Sequence, residues 1–269
     1  MENMRKCIKM IVLDLDGTLL RDNKTISDYT ISTLEKCKDK GLKIIYATAR
    51  GSSAEKLIPI EIFDGFVRMG GAVAYAEKTL VYSKCISTVK ARDFLNLANK
   101  ANIRIAAELN QKHYSNFKVD EVWNWLTYYE ICDFNTLDIE AEKMYALPKT
   151  DKELELLKNN IPEGMRIIPA RDDNFTMIMH KEAIKSKAVF AISEYWKINS
   201  NEIVAFGDDL IDLEILEHCG YGIAMGNALE EVKRVSKYVC DTNENDGVAK
   251  WLEENIVYQQ NGYTSLNKR

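Results

Sequence analysis

An apolar stretch that ends in two carboxylates is the feature that most restricts how this chain can fold. The segment Met10–Leu13 is entirely hydrophobic, and Asp14, Asp16, Gly17 and Thr18 follow it directly. Side chains alternate along a strand, so we expect Asp14 and Asp16 to lie side by side at the carboxyl end of a buried strand. Two like charges this close need a cation. Since all the ligands would be oxygens, the pattern favours Mg²⁺, which takes one or two carboxylates with phosphate and water.

The residues from Asp14 to Thr18 read Asp-Leu-Asp-Gly-Thr. They resemble the first motif of the haloacid dehalogenase-like phosphohydrolases, D-x-D-G-T after a hydrophobic strand. The resemblance implies that Asp14 is the nucleophile, that Asp16 is the general acid and base, and that Asp14 and the backbone carbonyl of Asp16 bind Mg²⁺. The acid role requires a proton at the start, so we expect a neighbouring carboxylate or a closed cap to raise the pKa of Asp16. An acidic pair alone would also fit a strand end that faces water.

A second hydrophobic segment, Leu42–Ala47, leads into Thr48, Ala49 and Arg50. Phosphoryl transfer needs a hydroxyl and a cation to hold the nonbridging oxygens. Thr48 resembles the second motif of the family, a Ser or Thr at a strand end, which implies that Thr48 and Ala49 bind the substrate phosphate. The alternative for Thr48 is a turn or cap residue. Arg50 is interpreted as a brace for the loop, with phosphate contact as its alternative.

Three lysines, Lys181, Lys185 and Lys187, compete for the role of the cation. The sequence from Lys185 to Val189 resembles the family pattern of Lys, small residue, any residue, Ala and aliphatic residue, which selects Lys185. Its ammonium is expected to bridge Asp14 and the phosphate. Lys187 is the alternative, although a solvated lysine on a helix face is the simpler interpretation of Lys181 and Lys187.

A third strand-like segment, 202–207, ends in Asp208, and Asp212 follows four residues later. Residues four apart share a helix face, so the two carboxylates can converge on one site. The resemblance implies that Asp208 is a Mg²⁺ ligand and that Asp212 is an outer group positioning the ligands and the lysine. A helix N-cap is the alternative for Asp208. Ile211 stands where the family usually has Asn, and an apolar side chain supplies no hydrogen bond to phosphate.

The region from Gly220 to Leu252 resembles the terminal strands and helices of the Cof-type members of the family, subclass IIB. The motifs are confined to 14–50 and 185–212. Between them, the roughly one hundred residues from Leu80 to Met179 carry no motif and are enough for a second domain. We predict an α/β fold: a Rossmann-like, doubly wound parallel sheet core (residues 1–80 and 181–269) with an inserted α+β cap (81–180), which the resemblance implies to be a C2-type cap. Expected cap strands are 104–107, 144–147, 166–168 and 175–179, and expected cap helices are 89–102, 119–131 and 152–159.

The core prediction also has support that is independent of the family. Ser27 precedes a pattern of apolar residues at helical spacing, and Gly41 follows it, which indicates a capped helix between two strands. Such a βαβ unit belongs to a parallel sheet. The candidate residues all fall at strand carboxyl ends, where a doubly wound sheet forms its crevice.

Few cap residues can be assigned from the sequence. The aromatic residues Trp123, Trp125, Tyr128 and Tyr129 are interpreted as core, with sugar stacking as the alternative. The segment 171–174, Arg-Asp-Asp-Asn, is either a polar rim that meets substrate hydroxyls or a hairpin loop. The histidines are scattered without metal-ligand spacing and are assigned no chemistry; they are His113, His180 and His218.

Bulk properties narrow the classes of partner. The formal net charge of −5 gives no basic face for nucleic acid, and no apolar run approaches a membrane span or a leader segment. Six cysteines without a C-x-x-C pair favour reduced thiols and the cytoplasm. The expected partner is a small phosphorylated metabolite, with no nucleic acid or membrane, and the expected assembly is a monomer or weak homodimer.

The resemblance implies a Mg²⁺-dependent phosphatase, a phosphoric monoester hydrolase that acts on small phosphorylated metabolites such as sugar phosphates through an aspartyl-phosphate. One alternative is a phosphomutase of the same fold, which has the same active parts. The other is a catalytically weak protein that binds a phosphorylated ligand, suggested by Ile211.

Overall fold

The computed structural model of the chain describes residues 8–124, 126–169 and 175–258. Its strands, in chain order, are β1 (Met10–Leu13), β2 (Lys43–Ala47), β3 (Gly65–Arg68), β4 (Val73–Ala76), β5 (Thr79–Ser83), β6 (Arg104–Leu109), β7 (Lys112–Ser115), β8 (Tyr129–Ile131), β9 (Lys143–Leu147), β10 (Met165–Pro169), β11 (Thr176–His180), β12 (Ile203–Gly207), β13 (Tyr221–Ala224) and β14 (Tyr238–Val239). Its α-helices are α1 (Asp28–Asp39), α2 (Thr88–Lys100), α3 (Asp151–Asn159), α4 (Lys185–Tyr195), α5 (Leu213–His218), α6 (Glu230–Val235) and α7 (Gly247–Leu252).

The larger sheet carries the motifs. Its order is β14-β13-β12-β1-β2-β3-β4-β5, in which β14 to β3 run parallel and β4 and β5 add an antiparallel edge. The central strand β1 is fully buried and lies between β2 and β12, which are far apart in the chain. Such a reversal of strand order opens a crevice at the carboxyl ends of the strands. The predicted α/β fold with a doubly wound core is confirmed, with a mixed edge added to the parallel sheet.

The connection from β1 to β2 forms as the sequence indicates. Ser27 caps α1 by accepting a hydrogen bond from the Thr30 backbone N–H at 3.0 Å, and Gly41 takes a φ of +83° after the helix. A left-handed φ costs glycine little, which is why it ends the helix there. Helix α1 packs against α7, and α4 packs against α5.

The smaller sheet is built from the middle of the chain and has the order β10-β11-β9-β6-β7-β8. Because side chains alternate, one face of β6 and β9 packs with α2 and α3 through Ile105, Ala107, Met144 and Ala146. The opposite face carries Ala106 and Tyr145 and packs with Phe117 and Trp123. The division into residues 1–80, 81–180 and 181–269 stays a prediction; β5, which belongs to the larger sheet, extends to Ser83.

The helix predicted over 119–131 is wrong. The segment forms a short 3₁₀ turn, Val119–Glu121, and then the edge strand β8, which pairs in parallel with β7. Aromatic and β-branched residues at its end favour a strand wherever a sheet edge offers hydrogen bonds. Of the aromatic residues placed there, Trp123 is buried as expected, Tyr128 is exposed, and Trp125 lies outside the described residues.

None of the helices in the described ranges combines the length and the hydropathy needed to cross a bilayer.

Candidate active site

The ends of three neighbouring strands place the motif residues together. Asp14 follows β1, Thr48 follows β2, and Asp208 follows β12. The backbone N–H of Asp14 donates to the carbonyl of Phe206 in β12 at 3.1 Å, so the parallel pairing continues to the first carboxylate. The site therefore lies at the carboxyl edge of the larger sheet, where the fold opens its crevice.

Lys185, the first residue of α4, brings the second half of the chain into this site. Its ammonium donates to Asp14 Oδ1 and to Asp212 Oδ1, both at 2.7 Å. Lys187 instead pairs with Glu182 on the surface, where its side chain is 44% exposed against 2% for Lys185. Among these lysines, the structure thus brings Lys185 to Asp14, as the motif predicts; its contact with phosphate stays a prediction.

Three carboxylates meet beside this ammonium. Oxygens of Asp14, Asp208 and Asp212 all lie within 4.8 Å of one another. The Thr18 hydroxyl donates to Asp208 Oδ1 at 2.9 Å and orients that carboxylate. The backbone N–H groups of Asp208 and Asp209 donate to Asp212 Oδ2 at 3.3 Å, which fixes Asp212 under the turn.

This cluster has more negative than positive charge and would be stabilised by a further cation. Burial raises the pKa of Asp14 well above its usual value, although Lys185 opposes the shift, and repulsion from Asp212 and Asp208 adds to it. Burial raises the pKa of Asp208 to about 6, against the hydrogen bond from Thr18. Three acids that share one ammonium are short of positive charge, and an all-oxygen set suits a hard divalent ion. The residues present therefore fit Mg²⁺.

Asp16 differs from its sequence-based prediction. Burial alone would raise its pKa, but hydrogen bonds and charge from Arg50 and Lys24 outweigh burial and lower the pKa below the ordinary value. Arg50 Nη2 donates to Asp16 Oδ1 at 2.7 Å and Lys24 Nζ to the same oxygen at 2.8 Å. The expected raised pKa is thus wrong, because two cations, Arg50 and Lys24, contact the Asp16 side chain.

Glycines allow the close contacts in the two acidic turns. Gly17 has a φ of +77°, and a Cβ there would lie 2.4 Å from Asp208 Oδ2. A Cβ on Gly207 would lie 2.5 Å from the Cβ of Asp212. Both turns therefore need glycine for the carboxylates to reach their positions.

We expect Gly207→Ala to destabilise the protein by about 1–3 kcal/mol, because the added methyl group overlaps a buried, hydrogen-bonded carboxylate. Urea unfolding of the metal-free protein measures this change. Gly41→Ala is the control: its Cβ meets nothing within 4 Å, so it reports only the cost of the left-handed φ. Equal losses for the two variants would contradict the overlap.

The remaining predicted residues lie near the crevice with simpler contacts. Thr48 is buried, and its hydroxyl accepts a hydrogen bond from the Arg50 backbone N–H at 3.1 Å, which is the turn role left open for it. Ala49 lines a cavity together with Asp16 and Arg50. Ile211 is 44% exposed in the turn after β12. Phosphate binding by Thr48 and Ala49 stays a prediction.

A cavity of about 510 Å³ extends from Asp16 to the smaller sheet. Its wall on the side of that sheet includes Trp123, for which sugar stacking is the alternative to a core role. It also includes polar and aromatic residues to which the sequence assigns no role: Glu108, His113, Lys143, Tyr145 and Phe175. His113, to which the sequence assigns no chemistry, also lines this space. The sequence holds one signal for this wall: Glu108 lies two residues from Ala106 and so shares its strand face. Such a pattern is too common to identify a binding site. The predicted polar rim, 171–174, lies outside the described residues.

Asn227 connects the C-terminal region to the first acidic turn. Its amide donates to the carbonyl of Gly17 at 2.8 Å and accepts from the backbone N–H of Asn243 at 3.0 Å. Through these two hydrogen bonds the C-terminal region supports the turn that contains Asp16 and Gly17.

Comparison with known proteins gives the same family. The family model of the haloacid dehalogenase-like hydrolases matches residues 11–252. Two Bacillus subtilis relatives, the 5-amino-6-(5-phospho-D-ribitylamino)uracil phosphatases YitU and YcsE, are 27% and 28% identical; the alignments cover 91% and 93% of this chain and 96% of each relative. The solved structure of the subclass IIB sugar phosphatase BT4131 superposes with a TM-score of 0.75 at 25% identity, covering 91% of this chain and 98% of that one. The predicted family is therefore confirmed, and the chain belongs to the haloacid dehalogenase-like hydrolases.

Proposed function

We propose that this protein is a Mg²⁺-dependent phosphatase that hydrolyses small phosphorylated metabolites, of the sugar or polyol phosphate class, through an aspartyl-phosphate on Asp14. The observation that carries the proposal is the Lys185 ammonium held at 2.7 Å from both Asp14 and Asp212, with Asp208 beside them. A carboxylate between a fixed cation and a set of metal-ligating oxygens suits nucleophilic attack on an anionic phosphoryl group. Two similar proteins are named for such substrates: one is a phosphatase of a phosphorylated ribityl compound and the other is a sugar phosphatase. Their names support the proposed substrate class.

In the first step a carboxylate oxygen of Asp14 attacks phosphorus, and the bond from phosphorus to the leaving oxygen breaks. Lys185 orients Asp14 and neutralises charge on the phosphoryl oxygens. Asp16 gives its proton to the leaving oxygen. In this structure Arg50 and Lys24 hold Asp16 ionised, so it has to gain a proton as substrate enters; the arriving phosphate supplies like charge and competes for Arg50, which favours the protonated carboxyl.

In the second step Asp16, now a carboxylate, takes a proton from water while that water attacks phosphorus. The bond between phosphorus and Asp14 breaks, inorganic phosphate leaves, and the Asp14 carboxylate is regenerated. The cation pair that lowers the pKa of Asp16 suits this second role, because a carboxylate that stays ionised is available as a base.

Asp14, Asp208 and the backbone carbonyl of Asp16 would hold the metal, with Asp212 positioning Lys185 and the turn. When bound, Mg²⁺ supplies positive charge that offsets the negative charge of the three carboxylates and of the phosphoryl oxygens.

We also propose a cytoplasmic location. Five cysteines in the described ranges are free thiols, which supports it; they are Cys37, Cys85, Cys132, Cys219 and Cys240. We propose a monomer or weak homodimer and no nucleic-acid or membrane partner.

The test is phosphate release from a panel of sugar and polyol phosphates and an aryl phosphate, with and without Mg²⁺. We expect release to stop when a chelator removes the metal and to return on adding Mg²⁺. Asp208→Asn should raise the Mg²⁺ concentration for half-maximal rate at least about tenfold, since a charged ligand is lost. Asp93→Asn, on the exposed side of α2, is the matched control and should behave as wild type.

Two results would contradict the proposal. Isomerisation of a sugar phosphate with little free phosphate would favour the phosphomutase. Tight binding of a sugar phosphate in Mg²⁺ without turnover would favour the ligand-binding protein.

A further inference from the structure

The cavity wall formed by the smaller sheet contains charge in an unusual place. Glu108 is 6% exposed, and His113 and Tyr145 are each 4% exposed, yet all three line the cavity that reaches Asp16. Buried carboxylates are costly unless they are paired and hydrogen-bonded. The pairing of Glu108 therefore indicates whether this carboxylate is a structural group or one that receives a ligand.

The partners of Glu108 are loose. Its Oε2 lies 3.4 Å from Lys143 Nζ and 4.0 Å from His113 Nδ1. A charge-assisted hydrogen bond between nitrogen and carboxylate oxygen is usually about 2.7–2.9 Å, and a carboxylate has about four acceptor positions. Neither contact is of that length, so Glu108 keeps acceptor capacity for a molecule in the cavity.

Glu108 also reaches across to the larger sheet. A Cβ on Gly51 would lie 2.5 Å from Glu108 Oε1, so the carboxylate sits directly against the loop that carries Thr48 and Arg50. The same cavity reaches Asp16, so a phosphate ester with its phosphorus at Asp14 and its leaving group in the cavity would share this space with the Glu108 carboxylate. Glu108 is thus placed to contact atoms of the leaving group.

The charges around the cavity distinguish Glu108 from the other groups. Burial lowers the pKa of His113, although Glu108 opposes the shift, so the imidazole is neutral at pH 7. Arg50 is engaged by two hydrogen bonds to Asp16. Among the described lysines and arginines, Lys143 is the one whose side-chain nitrogen lies within 4 Å of the Glu108 carboxylate. Among the described residues that line the cavity, Asp16 is engaged by Arg50 and Lys24 at 2.5–2.8 Å, whereas the ion pair of Glu108 with Lys143 is longer, at 3.4 Å.

The rest of the wall is apolar and well packed. The Trp123 ring lies 5.3 Å, centroid to centroid, from both Tyr145 and Phe175, at interplanar angles of 83° and 85°. The Tyr145 hydroxyl lies 3.0 Å from His113 Nδ1. Edge-to-face packing and this hydrogen bond give a fixed surface on which the carbon face of a ligand can rest.

We propose that Glu108 is the residue that selects the leaving group: it accepts hydrogen bonds from hydroxyl or amino groups while Trp123 and Phe175 contact the carbon skeleton. This inference rests on the proposed phosphatase function and narrows its substrate class. It favours phosphate esters of neutral polyols and amino-substituted sugars, and it disfavours esters whose leaving group carries a carboxylate, because like charges would face each other in a small space.

The experiment compares wild type and Glu108→Gln on four substrates in Mg²⁺: glucose 6-phosphate, glucosamine 6-phosphate, 6-phosphogluconate and acetyl phosphate. Wild type should have a higher kcat/KM for the first two than for 6-phosphogluconate. The variant should lose about ten- to a hundredfold in kcat/KM on glucosamine 6-phosphate and gain on 6-phosphogluconate. Acetyl phosphate, whose leaving group is too small to use the wall, should change less than about threefold.

Glu130→Gln is the matched control, since Glu130 pairs with Lys112 at 2.6 Å on the exposed edge of the same sheet. It should leave all four rates unchanged. Thermal unfolding of both variants, and titration of glucosamine 6-phosphate into each in an Asp14→Asn background, separate binding from folding.

Each result has a distinct meaning. An equal loss on all four substrates, no change on any, or a wild-type preference for 6-phosphogluconate would overturn the role of Glu108. Turnover of acetyl phosphate with none of the sugar phosphates would overturn it as well. No Mg²⁺-dependent release by wild type from any substrate would instead overturn the proposed function.

Discussion

Asp14→Asn is expected to lower phosphatase turnover at least about a thousandfold while the protein stays folded. The amide removes the nucleophilic oxygen, and no other carboxylate in the described cluster has the same position at the end of β1. Lys185 keeps its 2.7 Å partner Asp212, so the ammonium is not left unpaired. The measurement is steady-state phosphate release, with rapid acid quench to detect the acyl-phosphate in wild type and its absence in the variant.

Stability separates loss of the nucleophile from loss of the fold. Burial and the neighbouring carboxylates oppose the charge on Asp14, so the metal-free variant should unfold at the same or a higher temperature than wild type. It should also gain less stability from Mg²⁺, because one ligand is gone. Asp93→Asn is again the control. Turnover within tenfold of wild type would show that the covalent scheme is wrong.

Lys185→Met is expected to affect both folding and turnover. Removing the ammonium leaves Asp14 and Asp212 buried without their cation, and breaking a buried pair in this way costs about 3–5 kcal/mol. Turnover should fall by about a hundredfold or more, since the phosphoryl charge loses a fixed partner. Urea unfolding and phosphate release measure the two effects.

The metal offers a second measurement on the same variant. Mg²⁺ should stabilise Lys185→Met more than it stabilises wild type, because the bound ion would replace part of the missing positive charge. Lys187→Met is the matched control two residues away; that lysine pairs with Glu182 at the surface, and its loss should change stability by less than about 0.5 kcal/mol. Similar losses in the two variants would contradict the assignment of Lys185 to the site.

The sequence by itself determined the larger sheet and the acidic centre. Apolar runs that end in Asp14, Thr48 and Asp208 predict buried parallel strands, and the carboxyl ends of such strands meet at one edge. The choice of Lys185 over Lys187 followed from the resemblance to the family pattern, and the structure places Lys185 at the first position of α4. These features are predictable because each depends on a short segment and on the regular geometry of strands and helices.

Only the tertiary structure decided the electrostatic state of Asp16 and the wall of the cavity. Arg50 and Lys24 reach Asp16 from two separate loops, and their combined charge reverses the pKa shift that burial alone would give. Within the segment predicted as a helix, Tyr129–Ile131 forms a strand because the edge of β7 offers hydrogen bonds that the local sequence does not reveal. The Glu108 carboxylate, on β6 of the smaller sheet, lies against Gly51 in the loop after β2 of the larger sheet. Contacts between residues far apart in the chain depend on how whole elements pack, and no local pattern encodes them.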